Sequence, residues 1–248
     1  MAQLFSPSAN TKATVGLLLA AGVPFTIFYL GSTITRSPFN TGVTVPLDQP
    51  VPFSHKHHAV ELGIDCRFCH SAVENGPVAG LPATEVCMSC HSQIWTNSPL
   101  LDMVRDSYET GVPIEWVRVN NLPDFVYFNH SIHIDRGVNC NVCHGSITQM
   151  AITSKGQTFH MSWCLECHNN PEKFLYQVEG AGDMSPRQQV FLLYQKIIAG
   201  DKLTPAEHNI AEGLMERVPK DKYHENLEVM EKLGVNLTQM ADCYVCHR

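Results

Sequence analysis

The chain is poor in charge: Lys, Arg, Asp and Glu supply only 17% of its 248 residues, where about a quarter is usual. It has no Lys/Arg block, and 17 basic against 24 acidic residues leave a formal net charge of -7. Nucleic acid would therefore find no basic patch to neutralise its phosphates. No cysteine stands alone, and none lies near the N-terminus where a lipid could be attached. Wholesale disorder is excluded by 44% hydrophobic content, and the length suits one or two domains.

What the chain has is sulfur and imidazole, in one pattern. The 10 cysteines are Cys66/Cys69, Cys87/Cys90, Cys140/Cys143, Cys164/Cys167 and Cys243/Cys246, each pair a C-x-x-C. The next residue is always histidine: His70, His91, His144, His168 and His247. C-x-x-C-H is the spacing of covalent c-type haem attachment. Two thioethers take the two vinyl groups on one porphyrin edge, and the adjacent imidazole passes under the ring as proximal iron ligand. Zinc ribbons or disulfides would use the paired sulfurs but leave five histidines unexplained. A thioredoxin-type motif would occur once, beside a βαβ pattern. Five haem c groups are expected, held by these ten cysteines and five histidines.

Ala13 to Ile34 run without a charge between Lys12 and Arg36. About 20 apolar residues span a bilayer, whereas a signal-peptide core is usually about 7–15. Pro24 does not exclude a span, since lipid-embedded helices tolerate proline. No A-x-A cleavage site follows, so residues 1–36 are expected to be a retained, single-pass anchor with a short cytoplasmic tail. Haem is joined to thiols outside the cytoplasmic membrane, which puts the following residues on the periplasmic side of a bacterial membrane. Residues 37–52, with Pro38, Gly42, Pro46 and Pro50, read as a linker. A haem domain then occupies 53–248.

That domain has about 39 residues per haem, too few to wrap each porphyrin separately. The expected fold is mainly α with much irregular structure, organised around packed haems behind one transmembrane helix. First cysteines are spaced 21, 53, 24 and 79 residues apart, giving two close pairs and a solitary C-terminal site. Phe53-Ser54-His55-Lys56-His57-His58 precedes the first pair and Phe128-Asn129-His130-Ser131-Ile132-His133 the second. This repeated F-x-H-x-x-H suggests a duplicated two-haem unit. Ser98-Pro99 opens a helix that Gly111 stops. Ser185/Gln188 and Thr204/Glu207 are capping boxes for two more, and a weak helix covers 221–233. Residues 185–233 thus form a helical insertion, either a surface for a partner or a cover for haem edges. Ile114 to Val119 is a short segment that could pair as a strand.

Eight histidines remain outside the attachment motifs, and five irons need five distal ligands if all are six-coordinate. Histidines three apart on a helical turn project to one side. One such pair can serve two neighbouring haems, which selects His55, His58, His130 and His133 and leaves His57 spare. For the fifth position Met150 leads, with Met161, His160, His208 and His224 open; Met would raise that haem's potential.

F-x-H-x-x-H before C-x-x-C-H resembles the class III multihaem cytochromes c. In them the first histidine ligates the haem attached just downstream and the second reaches another. The resemblance implies that His55 serves the haem on Cys66/Cys69 and His130 the haem on Cys140/Cys143. Gly63-Ile64-Asp65-Cys66-Arg67-Phe68-Cys69-His70, Trp116-Val117-Arg118-Val119, Leu122 to Phe128 and Met161-Ser162-Trp163-Cys164 are similar to the pentahaem subunit of bacterial alternative complex III. It implies partners: iron–sulfur/molybdopterin-like and multispanning quinol-binding subunits, and a cytochrome c, copper protein or oxidase as acceptor.

Irons with two protein ligands have no open site and move electrons. The expected function is a membrane-anchored electron wire of a quinol-oxidising complex, not an enzyme by itself. An anchored quinol dehydrogenase feeding a periplasmic reductase is the alternative, and a multihaem reductase, which needs an open iron, comes after it. A structural or redox-sensing module would not need five haems.

Overall fold

The computed structural model describes residues 6–175, 177–212 and 223–247. The chain divides into two compact units, Met1–Val43 and Thr44–Arg248. In the first, the uncharged run lies within one helix, α1 (Ala9–Arg36), which passes through Pro24 without a break and buries none of its residues. At about 1.5 Å per residue it is about 42 Å long, more than the roughly 30 Å hydrocarbon layer of a bilayer. A single turn, α2 (Pro38–Thr41), ends on Gly42 in the left-handed conformation.

The second unit begins earlier than the sequence suggests. Thr44 N–H donates to Lys155 O, Leu47 N–H to Thr153 O, and Pro46 pairs with Ser154 in an antiparallel bridge. Val51 is buried with Leu101 and Val104. Residues 44–52 are thus part of the domain, and the linker shrinks accordingly. The bridge at Pro46 is the only β pairing among the described residues. Ile114 to Val119 forms no strand, because Gln49 takes its place as partner. The Gln49 side-chain amide donates to Val117 O and its oxygen accepts Val117 N–H, both at 3.0 Å.

The rest is helical and brief. A wide turn over Lys56–Glu61 precedes α3 (Cys66–Cys69) and α4 (Thr84–His91). Pro99–Leu101 leads into α5 (Asp102–Thr110), which Gly111 stops in the left-handed conformation. Then come α6 (His130–Asp135), α7 (Cys140–His144) and α8 (Met161–Asn169). Both capping boxes are formed, opening α9 (Pro186–Ala199) and α10 (Pro205–Ala211). Tyr223–Lys232 is α11 and Cys243–Cys246 is α12; of the expected 221–233 helix, 221 and 222 lie outside the described residues.

The apolar stripe of α9 buries Val190, Phe191 and Tyr194 against Val73 and Ile134, with Cys66 and Cys140 packed on the same cluster. Its Leu193 packs instead with Val178 and Ala181. The inserted helix therefore covers the ground between the first and third attachment motifs.

Candidate haem-binding site

Every C-x-x-C forms a helical turn, so its sulfurs, three residues apart, share a side. Asp65 caps α3 by accepting Arg67 N–H at 2.8 Å, and Asn139 caps α7 by accepting Asn141 N–H at 3.0 Å. All ten sulfurs are unbridged. Among the described residues no group of three or more His, Cys, Asp or Glu converges as a metal cluster, which removes the zinc-ribbon reading. Burial pushes the Cys66 and Cys143 thiols up to about 12, the opposite of what a zinc thiolate site needs.

The histidines are brought together in pairs. A metal–imidazole bond is about 2.0–2.1 Å, and the ring centre lies about 1.1 Å behind the bonding nitrogen. Two rings sharing one metal from opposite faces therefore stand about 6.2–6.4 Å apart. Ring centres are 6.4 Å apart for His55 and His70, and 6.3 Å for His58 and His91, His130 and His144, and His133 and His168. Each histidine of the F-x-H-x-x-H repeats thus meets the histidine of a different attachment motif. The interplanar angles also repeat: 9° and 5° for the first member of each unit, 64° and 44° for the second.

Hydrogen bonds aim the rings. Nδ1 donates to a backbone carbonyl in His58 (Ser54), His70 (Gly80), His91 (Ile94), His130 (Pro77), His133 (Asn129), His168 (Met240) and His247 (Phe125), at 2.6–3.1 Å. A carbonyl accepts only a proton, so Nε2 of each neutral ring keeps its lone pair. Phe53 sets its pair mechanically, edge-on to His55 at 5.0 Å and stacked on His58 at 4.4 Å; Phe128 does the same for His130 and His133 at 4.8 and 4.6 Å. Burial, then the neighbouring imidazoles, lowers His55 and His144 to about 4, and burial also lowers His58 and His133. These rings are neutral at physiological pH, the form that binds iron.

The fifth motif differs. The aromatic ring beside His247 is that of Phe125, 5.8 Å away, and among the described residues no imidazole faces it. Met150 is engaged elsewhere: its sulfur lies 3.5 Å from the Ser154 amide and 3.7 Å from its hydroxyl. Met161 and His160 lie exposed at the start of α8, His208 is exposed on α10, and His224 pairs with Glu228. His57, the spare, bonds Glu61 at 2.8 Å and stacks on Trp95.

Buried polar atoms without partners include Asn139 Nδ2, next to Cys140, and Ser146 Oγ, next to the His144 loop, together with Arg105 Nη1. Nitrogen donors and a hydroxyl so placed fit a group that carries carboxylates, as haem does through its propionates. The fit is therefore good on three counts: sulfur pairs on one side of a turn, imidazoles at iron-bridging distance, and orphaned donors beside them. Sequence reasoning missed Asn139, Ser146 and every carbonyl acceptor. A carbonyl carries no side-chain signature.

Fold and site together define a multihaem cytochrome c. Residues 33–105 match the class III cytochrome c family, and residues 126–189 match cytochrome c7 and related cytochromes c. The multihaem cytochrome c subunit of a menaquinone reductase from Nitratidesulfovibrio vulgaris (strain Hildenborough) is 33% identical over 145 residues, covering 50% of this chain and 69% of that one. The chain belongs to the same family of multihaem cytochromes c as that subunit.

Proposed function

We propose that the chain is the electron-transfer subunit of a quinone-linked membrane complex and carries five haems c on the ten cysteines. His70, His91, His144, His168 and His247 are the proximal ligands. His55, His58, His130 and His133 close the first four irons as distal ligands. The observation that carries this reading is the set of four imidazole pairs, all at the spacing one iron imposes. When bound, each haem supplies a one-electron couple. The protein's residues hold the ring, fix both axial nitrogens and shut out a third ligand, so the closed sites relay electrons and do not bind substrate. The fifth haem differs in having no second imidazole.

Segment likeness to the pentahaem subunit of alternative complex III supports a quinol-oxidising direction, toward a periplasmic cytochrome, copper protein or oxidase. The menaquinone reductase relative favours a second reading in which the same wire delivers electrons to quinone. Co-purification from native membranes, with the direction of electron flow measured, separates the two. We propose that α1 remains as a membrane anchor with the haem domain outside the cytoplasm. Retention in membranes through an alkaline wash tests this.

The ligand assignment is tested by His58→Ala and His133→Ala. The mass of each variant should still show five haems, while one low-spin haem becomes high-spin. Wholly low-spin spectra in both would overturn it.

A further inference from the structure

The order of the haems in space is not their order along the chain. Resting on the five-haem reading above, we propose that they stand in the order second, first, third, fourth, fifth, a single file whose ends are the sites of Cys87/Cys90 and Cys243/Cys246.

Each step of the file has its own contacts. His55 and His58 sit on one turn, and their rings face His70 and His91, so the first and second sites are neighbours. His130 and His133 join the third and fourth in the same way. The two units meet through their first members. Cys66 and Cys140 pack on one cluster with Val73, Ile134 and Tyr194. His130, which faces the third site, donates from Nδ1 to Pro77 O, and Ser131 N–H donates to Gly76 O. Gly80, three residues on in that same loop, receives the His70 Nδ1 proton. The fifth site attaches to the fourth: His168 donates to Met240 O, just before α12, and Tyr127 N–H, just before the second repeat, donates to Cys246 O at 2.8 Å. The thiols agree, since Cys69 feels Cys87, Cys66 feels Cys140, Cys143 feels Cys167 and Cys164 feels Cys246.

The ends are also where the coat is thinnest. Cys90 and Cys243 are the exposed cysteines, flanked by Trp95 at 59% and Tyr244 at 81% exposure. Two tandem units back to back, first site against third, give this order; a chain-ordered file would need the second site against the third. An electron received at one end must then traverse every haem, and the first haem is an obligatory step for any electron that enters at the second.

That consequence gives the test. Asn97→Cys, beside Trp95, provides the one thiol not joined to haem, and takes a ruthenium–polypyridyl label. A flash lets the label give one electron to the ferric second haem, and a sacrificial amine in solution re-reduces the label. In the full-length protein with five haems by mass, the electron should arrive at the fifth haem, recognised by its separate spectrum. Adding Cys66→Ser with Cys69→Ser removes the first haem, and mass should fall by one haem. Arrival at the fifth should then be lost. Undiminished arrival would overturn the order, because a chain-ordered file keeps the second-to-fifth path intact. If that variant does not fold, a density map of the full-length holoprotein decides: the haem of Cys87/Cys90 must touch only that of Cys66/Cys69. Fewer than five haems in the unaltered chain would instead refute the reading on which the order rests.

Discussion

At the scale of single residues, charge is scarce and its burial is informative. Glu207 has a fully buried side chain, whose Oε1 receives Lys196 Nζ at 2.8 Å and whose Oε2 receives Thr204 N–H at 2.8 Å. Burial alone would raise its carboxyl, but the bonds from Lys196 and Thr204 outweigh burial and hold it below the ordinary value. Because the folded value is lowered, this contribution to stability is complete above the unfolded carboxyl value, about 4.3, and is lost as pH falls through the folded one. Lys196→Met leaves the carboxylate buried without its cation, and should cost about 3 kcal/mol. Adding Glu207→Gln removes the charge, keeps the capping box that opens α10, and should restore most of that loss. Denaturant unfolding of the holoprotein followed by circular dichroism measures both. Equal stability of the single variant and the unaltered chain would show that the pair holds nothing together.

At the scale of elements, the repeats were legible and their supports were not. F-x-H-x-x-H was readable because it consists of side chains of distinctive chemistry at fixed spacing. The capping boxes of α9 and α10 were readable for the same reason. The backbone carbonyls that aim the rings come from Ser54, Pro77, Gly80, Ile94, Phe125, Asn129 and Met240, residues with nothing in common. The Ile114–Val119 strand failed because a glutamine 68 residues away supplied the pairing that a second strand would have given. Gly156 is a support of this hidden kind. A β-carbon there would overlap the carbonyl of His144 and the amide of Gly145, all backbone and unable to swing aside. Gly156→Ala should therefore push α7 and His144 away from His130. Overpacking of this sort costs about 1–3 kcal/mol, and the electron paramagnetic resonance spectrum should gain a high-spin signal from the third haem alone. An unchanged spectrum would mean that the loop yields without moving the ligand.

At the scale of the whole molecule, the polypeptide is too open to be its own core. A folded monomer of 27.6 kDa is expected to expose about 11,000 Å², whereas this chain exposes 16,176 Å². The lone helix α1 supplies some of the excess. More comes from apolar side chains around the attachment motifs, such as Phe68, Val78, Leu81 and Ile132, each more than half exposed. Porphyrin faces are the apolar surface that these side chains lack. The two halves of the haem domain should therefore depend on haem to different degrees. Around residues 66–170 the fully buried side chains are few, while α9 and α10 are tied together by the Leu193 cluster and the Lys196–Glu207 pair. A chain with all ten cysteines changed to serine keeps its helix propensities but cannot acquire the missing core. Limited proteolysis should cut it first and fastest between residues 66 and 170, with the 186–211 helices surviving longest, and its thermal unfolding should lose cooperativity. A haem-free chain that resisted protease throughout and melted in one sharp step would show that the polypeptide packs by itself, and that the imidazole pairs are held at 6.3–6.4 Å without iron to require it.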